Sequence, residues 1–278
     1  MREIVEDFRQ RVSGNAQLEE LWTSILSTTT SSVRARAVGA NALALLTWST
    51  AQDVRHLGRI VATLGGRAAA EAQERVLVAI DPKVGRPLTT ALIRRLGDHA
   101  WGDAVFDDPE AKDAAVLRST CAEAVIRLLM VPDGAAPEVP AIHTSGDLLA
   151  IFTHGDLPTW RHLIANNLRD PWSGDGGRRT RLLDSDLHRR EQRVLEDALD
   201  LCRRFVEEDE RRTVADHIRR TIARTGLTQR EFASLLGTSP SRLSTYATGA
   251  VTPSATMLLR INRVAKRARA ARDDDQPR

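Results

Sequence analysis

The sequence predicts an all-α protein. Three observations carry that expectation: Ala, Leu and Arg recur along the whole chain, aromatic residues make up only 4% of it, and no stretch alternates apolar and polar residues as a half-buried strand does. At 278 residues the chain can bury a sizeable core without disulfides or metals, and two domains are expected.

Apolar residues three and four apart predict helices over residues 33–48, 52–64, 68–80, 84–96 and 109–130, broken by Gly65-Gly66, Asp81-Pro82 and Gly97-Asp98. In the last of these, Leu117, Cys121, Ala124, Val125 and Leu128 fall on one broad apolar face. The Ser/Thr run 27–32 reads as a linker. Two arrangements suit such helices, an irregular HEAT-like array or a plain bundle, and no repeating signature chooses between them. Pro132, Pro137 and Pro140, with Asp133-Gly134 among them, mark a loop that closes this block. Asp156 and Pro158 then start a helix over 159–168, which Asp170-Pro171 ends before a glycine-rich turn at 173–177.

Residues 178–210 read as one long helix, because Leu183, Leu187, Val194, Ala198, Leu201, Cys202 and Phe205 recur at helical spacing among dense charge. Such a stripe packs either along its own bundle or against a second copy as a dimer helix. The expected organisation is a helical interaction or regulatory domain at 1–172, a linker and long connecting helix at 173–210, a third segment at 211–270 and a disordered tail at 271–278.

Charge is placed unevenly. The net value is only +3, yet residues 211–278 carry 14 Lys and Arg against 5 Asp and Glu. This is the end expected to meet a polyanion.

Several function classes are set aside. Residues 1–10 lack the apolar core and cleavage site of a signal peptide, and no apolar run is long enough to span a bilayer. Cys121 and Cys202 stand far apart, without close Cys or His spacings, as idle thiols do in a reducing compartment; a cytoplasmic location is expected. His143, His154 and His162 lie near Asp147 and Asp156, but no pair has ligand spacing on a common helix face, so no metal is expected. Gly174, Gly176 and Gly177 follow no strand and do not form a phosphate loop. Trp160 and Trp172 read as core or interface anchors. No serine or cysteine nucleophile has a base placed for it, so neither catalytic residues nor a cofactor are expected, and the protein is not read as an enzyme.

The densest local signals lie at 213–266. Thr228 and Glu231 have the spacing of a capping box, with Leu227 and Phe232 placed as a hydrophobic staple. Phe232, Leu235 and Leu236 supply a buried face, Ala233 is small where two helices must approach, and Gly237 can stop the helix in the left-handed conformation. Ser239 and Pro240 start the next helix at once, Leu243 anchors it, and Gly249 ends it. Thr252-Pro253 opens a further helix whose Met257, Leu258 and Ile261 cover the core. Upstream, Val214, Ile218 and Ile222 give a first helix closed by Gly226.

The run 227–261, LTQREFASLLGTSPSRLSTYATGAVTPSATMLLRI, resembles the Cro and XRE-type helix-turn-helix family of phage repressors and bacterial regulators. The match is ungapped from the Leu-Thr-Gln opening to the Pro-Ser start of the last helix. It implies a five-helix-type DNA-binding domain whose helix 239–247 enters the major groove. Ser239, Pro240, Ser241, Arg242, Ser244 and Thr245 are then the candidates at base edges, and Arg242 has the donors for a bidentate contact with guanine. Gln229 matches the family's phosphate-clamping glutamine, with Thr228 and Arg230 beside it. The chain departs from the family at Ala247 and Thr248, where charged residues are common. Arg260, Arg263, Lys266, Arg267 and Arg269 either follow phosphates or form a solvated helix end.

The resemblance implies a sequence-specific regulator of transcription, a repressor by fold analogy, bound to double-stranded DNA as a homodimer. Residues 1–172 would take a small-molecule ligand or a protein partner. The alternative is an antitoxin or another partner-regulated DNA-binding protein whose helical block wraps a second protein.

Overall fold

The structure is a computed structural model that describes residues 1–28, 32–80, 83, 85–106, 113–130 and 141–274; within them every regular element is a helix. The proline loop at 131–140, the Asp81-Pro82 break, the start of the helix expected at 109, the middle of the Ser/Thr run and the last four residues lie outside the described residues. The chain divides into two units, Met1–Arg203 and Arg204–Arg278. Residues 173–203, expected to link two domains, are thus part of the first.

The first unit contains α1 (Arg2–Val12), α2 (Ala16–Thr28), α3 (Val33–Thr47), α4 (Ala51–Leu64), α5 (Gly66–Ile80), α6 (Gly85–Trp101), α7 (Ala114–Leu129), α8 (Ser145–His154), α9 (Leu157–Arg169), α10 (Gly174–Arg181) and the beginning of α11 (Arg189–Ala223). α1 packs on α3, α3 on α5, α5 on α7 and α7 on α9, and helices in substantial contact are at most three apart in chain order. α3 is buried on every side from Ala37 to Leu45, and its small alanines let α1, α4, α5 and α6 close around it. Phe8 of α1 packs its ring 5.2 Å from Trp22 and 6.0 Å from Trp48.

Two buried ion pairs in this unit tie helices to one another. Thr50 and Asp53 form a capping box at the start of α4. Asp53 is fully buried, and Arg11 of α1 reaches both its oxygens, donating from Nη1 at 2.5 Å and from Nη2 at 3.1 Å. The Arg11 guanidinium also lies 4.3 Å over the Trp48 ring. On α9, Arg161 is 3% exposed and donates through both terminal nitrogens to Glu74 of α5. It also donates to the Leu128 carbonyl of α7 at 3.3 Å.

The expected long helix at 178–210 is interrupted. α10 begins where a glycine-rich turn was expected, and residues 182–188 separate it from α11. There the Asp184 side chain accepts from the amides of Asp186, at 2.8 Å, and Leu187, at 3.1 Å, and so competes with helical bonding. Gly176 needs its bare backbone: a Cβ there would come within 3.0 Å of the Leu199 side chain, so the glycine lets α10 press on α11. Leu183 and Leu195 share a core with Leu148 and Leu163, while Ala198, Leu199, Leu201 and Cys202 are buried as well. Leu183, Ala198, Leu201 and Cys202 of the stripe are therefore buried, while Val194 is half-buried and Phe205 falls in the second unit. Leu187, counted in the stripe, is 77% exposed.

Smaller differences have local causes. α6 runs through Gly97-Asp98 to Trp101, because a lone glycine inside a long helix lowers stability without breaking it. Trp160 packs edge-on to Phe152 at 4.9 Å, whereas Trp172 is more than half exposed and anchors no core.

The second unit comprises the C-terminal part of α11, α12 (Gln229–Leu236), α13 (Pro240–Thr248) and α14 (Ala255–Asp274). α14 is a single helix, so the domain has four helical segments where five were expected, and residues 271–274 of the expected tail belong to it. Ile218, Ile222, Phe232, Ala233, Leu236, Leu243, Tyr246, Ile261 and Ala265 form its core. Leu235 does not join them. It is 60% exposed, because an eight-residue helix packed on one side buries only Phe232, Ala233 and Leu236.

Candidate nucleic-acid interface

The geometry of the second unit follows from its caps. The Thr228 hydroxyl accepts from the Glu231 amide, and the Glu231 carboxylate accepts from the Thr228 amide at 2.8 Å. These bonds hold the Glu231 carboxyl below its ordinary range. Leu227, partly buried, packs into the same core as Phe232. Gly237 stops α12 at φ 71° and ψ 39°, a left-handed conformation that costs other residues roughly 1–2 kcal/mol. Two residues later the Ser239 side chain accepts from the Arg242 amide at 3.1 Å, and Pro240 occupies the first turn of α13. The two helices are thereby joined by the shortest of turns and pack on each other.

The candidate contact residues lie at the amino ends of α12 and α13. Thr228, Gln229 and Arg230 are exposed at the start of α12, and Ser239, Pro240, Ser241 and Arg242 at the start of α13; Ser244 and Thr245 are half-buried. Their side chains are not equally free. Thr228 is committed to its cap, and the Thr245 hydroxyl donates to the Arg242 carbonyl at 2.8 Å. Gln229, Arg230 and Ser241 make no hydrogen bond or ion pair among the described residues.

Two participants escaped the sequence reading. Tyr246, the only tyrosine in the chain, is buried in the domain core, and its hydroxyl accepts from Arg242 Nε at 3.0 Å. Its place one turn after Arg242 is the signal that finds it. Arg219 of α11 donates to the Ala247 carbonyl at 2.5 Å, bringing positive charge to the end of α13, where the sequence has only Ala247 and Thr248. Further along, Arg260, Arg263, Lys266 and Arg267 are exposed on α14.

Other constellations resolve as structural groups. Asp147 caps α8, accepting from the amides of His143 and Thr144, and these bonds hold its carboxyl below the ordinary range. Asp156 caps α9 in the same way through Thr159. Asp7, Asp53 and His56 bring ligand atoms together, but the Arg11 guanidinium occupies Asp53 and supplies the positive charge. Burial pushes the Cys121 and Cys202 thiols up to about 12. No described helix is long and apolar enough to cross a membrane.

Exposed amino-terminal turns on two short, tightly joined helices define the helix-turn-helix class of DNA-binding domain. Residues 213–274 match the family model of the helix-turn-helix domain, in agreement with the resemblance seen in the sequence. No curated protein and no solved structure matches the chain.

Proposed function

We propose that the protein is a cytoplasmic, sequence-specific regulator of transcription, a repressor of the XRE type, that binds double-stranded DNA as a homodimer and catalyses no reaction. The observation that carries this reading is the free amino-terminal turn of α13, where Ser241 and Arg242 stand exposed beyond a buried Leu243 anchor. Such a turn projects side chains toward base edges while the preceding helix meets phosphates. The excess of positive charge at residues 211–278 supplies the salt-dependent attraction.

The first unit is the regulatory one in this reading. A cavity of about 400 Å³ lies among α6, α7, α8, α9 and α11, with Trp101, Phe152 and Trp160 in its walls. Its size and aromatic lining suit a small molecule. That observation favours a ligand-responsive regulator over an antitoxin that wraps a protein.

Selection of bound fragments from random DNA with the full chain tests the proposal. A single enriched motif is expected, with affinity falling steeply as salt rises. Arg242→Ala should then cost on the order of 1–3 kcal/mol at one base position, while Gln229→Ala weakens all sequences evenly. Enrichment of no motif, or binding indifferent to salt, defeats the assignment.

A further inference from the structure

We propose that Tyr246 is a positioning residue that sets how Arg242 reads DNA, presenting its two terminal nitrogens to guanine. The inference rests on the reading of α13 as the base-contacting helix, and deepens it.

Arg242 is exposed, and an exposed arginine ordinarily samples many rotamers. Here two bonds fix its backbone and one holds its side chain. Its amide donates to Ser239 Oγ, its carbonyl accepts from Thr245 Oγ1 at 2.8 Å, and its Nε donates to Tyr246 Oη at 3.0 Å. The tyrosine is itself immobile: it is 4% exposed and shares the core with Phe232, Leu243 and Ile261. A rigid phenol thus holds the near side of a guanidinium at the surface.

The chemical consequence follows from the donors that remain. Guanidinium has five N–H groups, and two side-by-side contacts are open to it: the Nε–Nη edge or the Nη–Nη edge. With Nε given to Tyr246, only the Nη–Nη edge can meet a base. That edge, like the Nε–Nη edge, offers two parallel donors matched by two acceptors, so the tether fixes the geometry of the approach and not the kind of base. Guanine alone presents two in the major groove, O6 and N7, since adenine pairs an acceptor with a donor, thymine an acceptor with a methyl, and cytosine shows a donor. The tether also removes rotamer freedom before DNA arrives, so less is lost on binding.

The test uses the full chain and compares guanine with the other three bases at each position of its selected site. Arg242→Ala identifies the position, where the preference for guanine should collapse. Tyr246→Phe keeps the ring in the core and removes the acceptor; it should reduce the guanine preference at that position roughly 2- to 10-fold, leaving binding to random DNA unchanged. In the Arg242→Ala background the same change should have no further effect. Arg242→Lys keeps the charge and a donor for guanine O6 and N7 but cannot be held by Tyr246; it should reduce the guanine preference, and Tyr246→Phe in that background should reduce it no further. An unchanged base preference in Tyr246→Phe overturns the proposal, as does a loss that adds to that of Arg242→Ala. If Arg242→Ala alters no base preference, the reading of Arg242 as a base contact fails, and the positioning role goes with it.

Discussion

At the scale of single residues, two buried histidines make the stability of the first unit depend on pH. His56 sits within α4, nearly inaccessible, with its Nε2 2.8 Å from Gln52 Nε2. His99 stacks on Phe106 with ring centroids 4.4 Å apart. Both are held below the ordinary value of 6.5, mainly because burial disfavours the charged ring, and in each case a neighbouring arginine, Arg59 or Arg95, adds to the effect. A base with a depressed folded pKa binds fewer protons in the native state than in the unfolded one. The stability it contributes is therefore complete above about 6.5 and declines as the pH falls below that value. Urea unfolding of the full chain at pH 7.5 and 5.5, followed by fluorescence of the tryptophans, all of which belong to the first unit, should give the lower midpoint at 5.5. His56→Gln should shrink that difference. A midpoint that stays level or rises on acidification would contradict the burial of neutral imidazoles.

At the scale of elements, stability in the second unit is set by its stops and starts, because α12 and α13 have eight and nine residues and are too short to persist alone. Gly237→Ala should therefore cost about 1 kcal/mol of this domain's stability, from the left-handed strain at φ 71°. Thermal unfolding of the full chain, read at the Tyr246 signal, checks this; no loss would mean that the turn adjusts freely. The same locality explains what was legible beforehand. Thr228, Glu231, Gly237, Ser239 and Pro240 act within four residues of themselves, so their spacing alone announced both helices and the turn between them. The exposure of Leu235 was not legible, since the apolar pattern of a single helix does not say how wide a face its neighbours cover. Nor was the break at 182–188, where one aspartate outweighs a continuous apolar stripe. The bonds from Arg219 to Ala247 and from Arg242 to Tyr246 depend on side-chain direction, and the first spans 28 positions; only packed helices reveal it.

At the scale of the whole molecule, the question is how a domain with one reading helix selects a site in a genome. One recognition helix meets too few base pairs, and symmetry is the economical remedy: two copies on a two-fold operator, with recognition helices one duplex turn apart, about 34 Å, or a multiple of it. The stripe at 178–210 offered a dimer contact as one of its two arrangements, yet its Leu201 and Cys202 are buried. The dimer contact is then expected elsewhere, and substitutions at a buried and at an exposed position of the stripe should separate. Leu201→Ser should destabilise the first unit by about 2–5 kcal/mol, the range of other large-to-small core changes, and so lower its melting temperature. Leu187→Ser, at an exposed position between α10 and α11, should change neither melting nor association. The full chain should sediment as a dimer on DNA carrying two half-sites, and Leu187→Ser should leave that dimer intact. Should Leu187→Ser dissociate it with no loss of melting temperature, the segment at 182–188 would be the dimer contact after all. Sedimentation as a monomer at micromolar concentration, both free and on the two-half-site DNA, would remove the two-fold model, and specificity would then have to come from contacts beyond α13, with the exposed Arg260, Arg263 and Arg267 of α14 the first to examine.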